Sequence, residues 1–182
     1  MIIGIAGTLA AGKGAVVEYL KSKGFKHYSS SAILKEILTE RGLPLTRDYM
    51  SPLADELMTQ YPGGILSLSL EKAKKEGAVD FVLEAIHRPS EAHFLRSLGG
   101  KVVGVDADVQ KRFERTVARR DGAKDQVTYE EFLAHTLHED EGKGVTGSHI
   151  RAVLDEADAV VMNNGTLEEL HAEVDRVLVK IS

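Results

Sequence analysis

The chain has 182 residues, of which 43% are hydrophobic and 28% charged, and its formal net charge at pH 7 is −5. This length and composition fit one globular domain with a buried core, and the absence of cysteine excludes disulfide bonds and thiolate metal sites. The negative charge argues against a nucleic-acid partner, which requires a basic surface, but a mononucleotide site needs only a few local cations.

The first half of the chain alternates short apolar runs with longer amphipathic ones. It opens with the apolar run Ile2–Ala6, the pattern of a strand buried on both faces, and has neither the basic region nor the cleavage site of a signal peptide. No apolar run approaches the length of a membrane span, so we expect a cytoplasmic protein without a membrane partner. In chain order the pattern predicts a strand at Ile2–Ala6, a helix at Ala15–Lys23, a strand at Phe25–Ser29, and helices at Ser31–Arg41, Thr46–Gln60 and Gly64–Lys75.

The second half continues this alternation and contains two capping boxes, Thr128–Glu131 and Thr166–Glu169, each of which predicts the start of a helix. Because strands separated by helices favour right-handed crossovers, we expect an α/β fold: one three-layer α/β/α domain, residues 1–182, around a five-stranded parallel sheet. Ligands of such sheets bind at the carboxyl ends of the strands. The predicted elements are strands at Val79–Ala85, Lys101–Asp106 and Ala159–Met162, and helices at Pro89–Leu98, Asp108–Arg120, Thr128 to His138 and Thr166 to Val179.

The segment GTLAAGKG, from Gly7 to Gly14, matches the pattern GxxxxGK between the first strand and the first helix. Glycines let consecutive backbone N–H groups turn towards phosphate oxygens, the helix N-terminus adds partial positive charge, and Lys13 would bridge the outer phosphates. The alternative is a glycine-rich turn with a solvated lysine, but the flanking strand and helix favour the phosphate site. The residues predicted to bind ATP here are Gly7, Thr8, Ala10, Ala11, Gly12, Lys13, Gly14 and Ala15.

The GKG ending of this loop resembles that of adenylate kinase and other nucleoside monophosphate kinases. From Met1 to the last helix, the chain looks like a small kinase of the adenylate kinase and dephospho-CoA kinase type, and it resembles the short archaeal and bacterial kinase-like proteins related to deoxycytidylate-deaminase fusions. The resemblance implies a P-loop NTPase fold with a small helical lid, ATP with Mg²⁺ as cofactor, and a small-molecule nucleotide as acceptor. Where many P-loop proteins carry a Mg²⁺-binding hydroxyl, this chain has Gly14 and Ala15, so metal binding would depend on water and on carboxylates elsewhere.

Two later segments are similar to the acceptor site of these kinases. In Tyr28–Lys35, Ala32 and Lys35 replace the relatives' aspartate and arginine, and Ser31 is expected to cap the helix. The resemblance implies that Lys35 neutralises an acceptor phosphate and that the helices of residues 31–76 bind the acceptor. The alternative is a capped helix with an exposed lysine.

The second of these segments follows the apolar strand Val79–Ala85. Glu84 stands where the relatives place a carboxylate, which would hold Mg²⁺-bound water or polarise the attacking oxygen. His87 and Arg88 lie near the position of the relatives' phosphate-binding arginine. An ion pair between Glu84 and Arg88 is the alternative, although an ionisable residue at the end of an apolar strand favours function. The predicted substrate-binding residues are Ser31, Lys35, His87 and Arg88.

Four arginines follow the strand Lys101–Asp106, where the relatives' lid begins. The resemblance implies that such arginines clamp the transferring phosphate, whereas the alternative is a solvated basic face. We expect catalytic roles for Arg115 and Arg119, ATP contact for Arg115, and a lid at residues 121–148. The predicted catalytic residues are Lys13, Glu84, Arg115 and Arg119.

The segment Asn163–Thr166 lies after the last strand, where the relatives' backbone surrounds adenine, so Asn164 and Gly165 are expected to contact ATP. An Asn-Gly turn before a capped helix is the alternative. His135 and His138 share a helix with no third ligand nearby, so no protein metal site is predicted beyond Mg²⁺ carried by ATP.

The favoured function is ATP-dependent phosphotransfer to a nucleoside or deoxynucleoside monophosphate. Three alternatives stay open: a dephospho-CoA kinase-like enzyme, a non-catalytic nucleotide-binding regulator, and an interaction module with a vestigial P-loop.

Overall fold

Parallel strands form the centre of the structure, which is a computed structural model. It describes residues 1–119, 128–141 and 148–182, apart from the side chains of Arg47, Arg119 and residues 138–141. The strands are β1 (Ile2–Gly7), β2 (Lys26–Ser29), β3 (Phe81–Ile86), β4 (Lys101–Asp106) and β5 (Ala159–Met162). They pair in the order β2-β3-β1-β4-β5, and every neighbouring pair is parallel. The predicted five-stranded parallel sheet is therefore confirmed.

Helices connect these strands in the predicted order, with one addition. Those of the described residues are α1 (Lys13–Ser22), α2 (Ser30–Glu40), α3 (Arg47–Gln60), α4 (Ile65–Lys75), α5 (Pro89–Ser97), α6 (Val109–Arg119), α7 (Tyr129–Glu141), α8 (Ile150–Asp155) and α9 (Leu167–Ile181). The addition is α8, which was not predicted because it has only 6 residues and no side-chain cap at its start. Within the described ranges, no helix combines the length and the apolar character needed to cross a membrane. The predicted lid overlaps α7, and its parts 121–127 and 142–147 lie outside the described residues.

Different helices cover the two faces of the sheet. On one face, Ile5 of β1 packs in a cluster with Leu20 of α1 and Val174 of α9. On the other face, Leu83 of β3 packs in a cluster with Leu95 of α5. Burial of one such side chain contributes about 1.5–3 kcal/mol, so the two clusters hold the three layers together. The predicted α/β/α architecture is confirmed.

A third apolar cluster joins the helices that lie between β2 and β3 in the chain. Leu34 and Leu38 of α2 pack with Leu53 and Leu57 of α3, and with Ile65 at the start of α4. These helices correspond to the predicted acceptor-binding region. These helices therefore have a small core of their own beside the sheet.

Parallel pairing places the carboxyl ends of all the strands at one edge of the sheet. Glu84 of β3 is in register with Ile5 of β1 on one side and with Ser29 of β2 on the other. Gly7, the last residue of β1, is in register with Val105 of β4. The loop after β1 therefore lies between the carboxyl ends of β3 and β4, and β2 forms the outer edge beside Glu84.

The N-terminal cap of α2 differs from the prediction. The predicted cap was Ser31, but the Oγ of Ser29 accepts a hydrogen bond of 3.1 Å from the backbone N–H of Ala32, and Ser29 has the extended backbone of a capping residue. The prediction was wrong because β2 runs directly into the helix and leaves no loop between them. Both predicted capping boxes are confirmed, at Thr128 and at Thr166.

This cap gives a stability prediction. We expect Ser29→Ala to lower the free energy of unfolding by about 1 kcal/mol, because the N–H of Ala32 loses its acceptor. The matched change Ser31→Ala, at an exposed site in the same turn, should alter it by less than about 0.5 kcal/mol. Urea denaturation of both variants measures the difference. Equal effects, or a larger loss for Ser31→Ala, would contradict the assigned cap.

Candidate active site

The loop between β1 and α1 has the backbone of a phosphate-binding loop, because two of its glycines are required by local geometry. A Cβ at Gly7 would lie 2.4 Å from the carbonyl oxygen of Val105. Gly12 has a φ of 101°, and a Cβ there would lie 2.2 Å from Nδ2 of Asn163. In contrast, a Cβ at Gly14 would meet no other heavy atom within 4 Å. Gly14 therefore leaves open space beside the start of α1.

The ammonium of Lys13 lies over this loop. Its Nζ donates hydrogen bonds to the carbonyl oxygens of Gly7 at 2.8 Å and Thr8 at 3.0 Å. Its charge also acts on Glu84 and His87, since it lowers the pKa of both side chains. Lys13 thus connects the loop electrostatically with the end of β3.

Glu84 supplies a negative charge beside the loop. The Nε2 atom of His27, on β2, lies 3.0 Å from its Oε2 atom, and both side chains are about one quarter exposed, at 25% and 24%. The contact with His27, followed by the charge of Lys13, holds the pKa of Glu84 below its usual value, against the opposing effect of burial. Glu84 is therefore ionised at neutral pH. His27 was not identified from the sequence, because only the pairing of β2 with β3 brings it to Glu84.

A buried glutamate fixes the turn that carries the other two predicted cleft residues. Glu91 accepts hydrogen bonds from the backbone N–H groups of His87 at 2.7 Å and Arg88 at 3.1 Å, and it forms an ion pair of 3.4 Å with the Arg88 guanidinium. Burial raises the pKa of Glu91. Among the described residues, Arg88 therefore pairs with Glu91, and Glu84 contacts His27. The Glu84–Arg88 ion pair considered from the sequence is not among the described contacts.

His87 is neutral at pH 7. Part of its side chain is exposed to solvent, and protein atoms lie close to the imidazole. This surrounding protein lowers the pKa of His87 to about 4, and the charges of Lys13 and Arg88 act in the same direction. The imidazole can therefore donate one hydrogen bond and accept another without adding a charge to the cleft.

The predicted acceptor residues of α2 make fewer contacts with the residues at the end of β3. Ser31 and Lys35 are both exposed, and Ser31 lies next to Ser29, with 3.3 Å between their Oγ atoms. Among the described residues, no hydrogen bond or ion pair joins the ammonium of Lys35 to the group at the end of β3. The structure therefore brings Lys13, Glu84, His87 and Arg88 together and leaves Lys35 on the adjoining helix.

A second carboxylate, Asp106 at the end of β4, holds the other side of the loop. Its Oδ1 accepts a hydrogen bond of 2.7 Å from Oγ1 of Thr8. Its Oδ2 lies 3.3 Å from Nη1 of Arg151, and the Arg112 guanidinium lies 3.8 Å from Oδ1. Asp106 was not among the predicted site residues, although it is an ionisable residue at the end of an apolar strand, the same signal that identified Glu84.

The arginines of α6 contact the loop backbone. Arg112 is buried and donates to the carbonyl oxygen of Leu9 at 3.4 Å, while Arg115 donates to those of Ala11 at 3.4 Å and Asn163 at 2.8 Å. Arg115 is thus at the loop, as predicted, but its guanidinium is bonded to backbone here. The side chain of Arg119 lies outside the described residues.

The segment after β5 is attached to the same loop. The side-chain amide of Asn163 donates to the carbonyl oxygen of Ala11 at 2.8 Å, a buried contact that the sequence analysis did not identify. Asn164 exchanges two hydrogen bonds with Asp108, and its carbonyl oxygen accepts one from Lys111. The predicted base-contacting segment is therefore held at a fixed position beside the P-loop.

A cavity of about 470 Å³ lies outside this cleft, along the outer edge of β2. It reaches the cleft through His27 and Ser29, which line it. Its three lysines all pair with glutamates: Lys21 with Glu18, Lys26 with Glu76, and Lys72 with Glu36. The chemistry of the loop therefore locates the candidate site. Within the described ranges, no group of three His, Asp or Glu side chains could hold a metal ion by itself.

The lowered pKa of His87 gives a prediction for stability. Below about pH 6.5 the unfolded chain binds a proton at this imidazole, whereas the folded chain binds it only near pH 4, so the free energy of unfolding must fall as the pH falls between these values. His87→Gln should remove that part of the slope. Denaturation at several pH values measures it, and parallel curves for wild type and variant would contradict the assignment.

Comparison with known proteins agrees with this geometry. A family model described as AAA domain matches residues 3–138. A UPF0200 protein of Pyrococcus horikoshii is 28% identical and aligns over 100% of this chain and 97% of its own length. A dephospho-CoA kinase of Corynebacterium glutamicum is 27% identical and aligns over 98% of this chain and 96% of its own length.

The fold also matches a solved kinase. The dephospho-CoA kinase from Campylobacter jejuni superposes with a TM-score of 0.57 at 18% identity, over 100% of this chain and 97% of that one. The family model matches well over half of the sequence. The Campylobacter jejuni kinase has the same overall fold. The chain therefore belongs to the AAA domain family and has the fold of a P-loop kinase.

Proposed function

We propose that this protein transfers a phosphoryl group from ATP to a small-molecule acceptor, with a nucleoside or deoxynucleoside monophosphate as the preferred acceptor. The observation that carries the proposal is the meeting of three features at one edge of the sheet. These are the P-loop with Lys13, the ionised Glu84, and the turn with His87 and Arg88. Phosphoryl transfer needs a cation at the donor phosphates, a group that orients the attacking oxygen, and a second cation for the acceptor.

On the donor side, the chain itself does most of the binding. The N-terminus of α1 would attract phosphate, and Lys13 can exchange its bonds to the carbonyl oxygens of Gly7 and Thr8 for bonds to phosphate oxygens. A guanidinium at the loop, that of Arg115, is available for the same phosphates if it releases the backbone on closure.

The residues present fit Mg²⁺ that arrives with ATP. No hydroxyl stands at Gly14 or Ala15, so the triphosphate and water would supply most of the oxygen ligands, which suits the preference of Mg²⁺ for retaining waters. Glu84 is ionised and can accept a hydrogen bond from such a water. Bound Mg²⁺ would neutralise charge on the donor phosphates.

On the acceptor side, Arg88 provides the charge and His87 a neutral polar group. Glu91 fixes both at the backbone, so their positions do not have to be ordered when the acceptor binds. Glu84, which as a carboxylate only accepts hydrogen bonds, would order Mg²⁺-bound water, while Arg88 would hold the acceptor phosphate whose oxygen attacks the terminal phosphorus of ATP. As that bond forms, the bond from phosphorus to the bridging oxygen of the departing ADP breaks.

A dephospho-CoA acceptor is the second candidate. It is favoured by one observation, the name of the Corynebacterium glutamicum relative, which aligns with this chain over nearly its full length. The donor site would be the same for both acceptors, and only the region of α2 to α4 would differ in its contacts.

A panel of ribo- and deoxynucleoside monophosphates and dephospho-CoA, with ATP and Mg²⁺, tests the proposal. We expect product with at least one monophosphate, and a loss of turnover by about a hundredfold or more in Lys13→Ala, because the donor phosphates lose their main cation. Lys21→Ala is the matched control, since Lys21 lies on the same helix and pairs with Glu18. No product from any acceptor, or an active Lys13→Ala variant, would contradict it. Product from dephospho-CoA alone would favour the second candidate.

The open space at Gly14 gives a prediction for the metal. Gly14→Ser should fold normally, with equal or slightly higher stability by up to about 0.5 kcal/mol, because serine is the better helix former. Its hydroxyl should lower the Mg²⁺ concentration needed for half-maximal ATP binding, measured by calorimetry. Gly12→Ser is the contrasting variant and should destabilise the fold, because of its positive φ and the nearby Asn163. Unchanged Mg²⁺ dependence in Gly14→Ser would contradict the prediction.

A further inference from the structure

His27 is the one residue of the edge strand β2 whose side chain makes a described ion-pair contact with Glu84. The two residues come from neighbouring strands and lie on the same face of the sheet, since His27 is in register with Val82, two residues before Glu84. His27 lines the cavity along β2, while its Nε2 atom has almost no exposed surface and lies 3.0 Å from Oε2 of Glu84. His27 therefore separates that cavity from the cleft.

The contact determines which ring nitrogen carries a proton. An ionised carboxylate only accepts hydrogen bonds, so a nitrogen at 3.0 Å is favourable only if it is a donor. The Nε2 atom of His27 must therefore be protonated, whatever the state of Nδ1. The ring then faces Oε2 of Glu84 with an N–H group and leaves Oε1 of the carboxylate not engaged by His27.

The contact between His27 and Glu84 is short but poorly aligned. Although the distance is short, Nε2 is not aligned as a full hydrogen bond, and it has no other hydrogen-bond partner among the described residues. A contact that served stability alone would leave this buried donor poorly satisfied at a cost. Hydrogen bonds within catalytic groups, in contrast, are often poorly aligned without substrate and tighten in the reacting complex.

We propose that His27 is a positioning residue for Glu84: its Nε2–H group holds one carboxylate oxygen so that the other faces the cleft, where it can accept a hydrogen bond during phosphotransfer. This inference rests on the proposed phosphotransfer. It adds a residue to that reaction and a reason why β2, at the edge of the sheet, belongs to the site. The step itself moves no proton through His27; the ring only fixes the orientation of the carboxylate.

The test compares two substitutions at this position in the full chain. His27→Leu removes the donor, and we expect turnover to fall about tenfold, the effect of one charge-assisted hydrogen bond, with little change in the Michaelis constant for ATP. His27→Gln returns an N–H donor near the Nε2 position and should recover most of the loss. In a Glu84→Gln background, His27→Leu should cause little further loss, because the carboxylate that it positions is gone.

A matched control removes a histidine–glutamate contact elsewhere. His93 lies 2.9 Å from Glu156 on the surface, near the amino end of β5, and His93→Leu should leave turnover unchanged. Thermal melting of all variants separates a positioning role from a structural one. Equal losses of turnover in His27→Leu and His27→Gln together with a fall in melting temperature would overturn the proposal, as would full activity of His27→Leu.

A second measurement does not depend on activity. Spectra of ¹⁵N-labelled histidine distinguish the two ring nitrogens, and we expect the proton of His27 on Nε2 in the wild type and a loss of this preference in Glu84→Ala. A proton mainly on Nδ1 in the wild type would overturn the proposal. If the wild type phosphorylates no acceptor, the proposed function fails and the positioning role with it, whereas an active wild type with an unaffected His27→Leu variant removes only the role of His27.

Discussion

The carbonyl oxygens of the P-loop are held by side chains from the other half of the molecule, and the site depends on this attachment. Arg112 binds the carbonyl oxygen of Leu9, while Arg115 and Asn163 bind that of Ala11. Because the C=O and N–H groups of a peptide point in opposite directions, fixing the carbonyls on the protein side turns the amides towards the opening. The loop is thereby ordered before any ligand binds, which lowers the entropic cost of binding phosphate.

Charged groups of both signs lie around the opening of the P-loop. Lys13 and Arg88 are cations, Glu84 is an anion, and the lowered pKa of His87 keeps this fourth group neutral. A protonated imidazole would repel these two cations. In this neutral state Lys13 and Arg88 carry the positive charge of the cleft, and the carboxyl groups of Glu84 and Glu91 lie beside them.

The strands, the helices and the phosphate loop were predictable because each depends on local sequence. The alternation of apolar and amphipathic runs predicted the strands and helices, and the GxxxxGK pattern located the phosphate loop before Lys13. Glu84 was found because an ionisable residue ends an otherwise apolar strand. The same signal at Asp106 was not used. Local rules failed at the start of α2, where β2 leads into the helix without a loop and moves the cap from Ser31 to Ser29.

By itself, therefore, the sequence determined the fold class, the position of the loop and the candidate residues on each strand end. The tertiary structure decided which of them meet. The strand order β2-β3-β1-β4-β5 brings His27 to Glu84 across 57 positions of the chain and Asn163 to Ala11 across 152. No local pattern encodes such contacts, because they arise from the register between strands that are distant in sequence, and that register is set by the packing of the whole sheet.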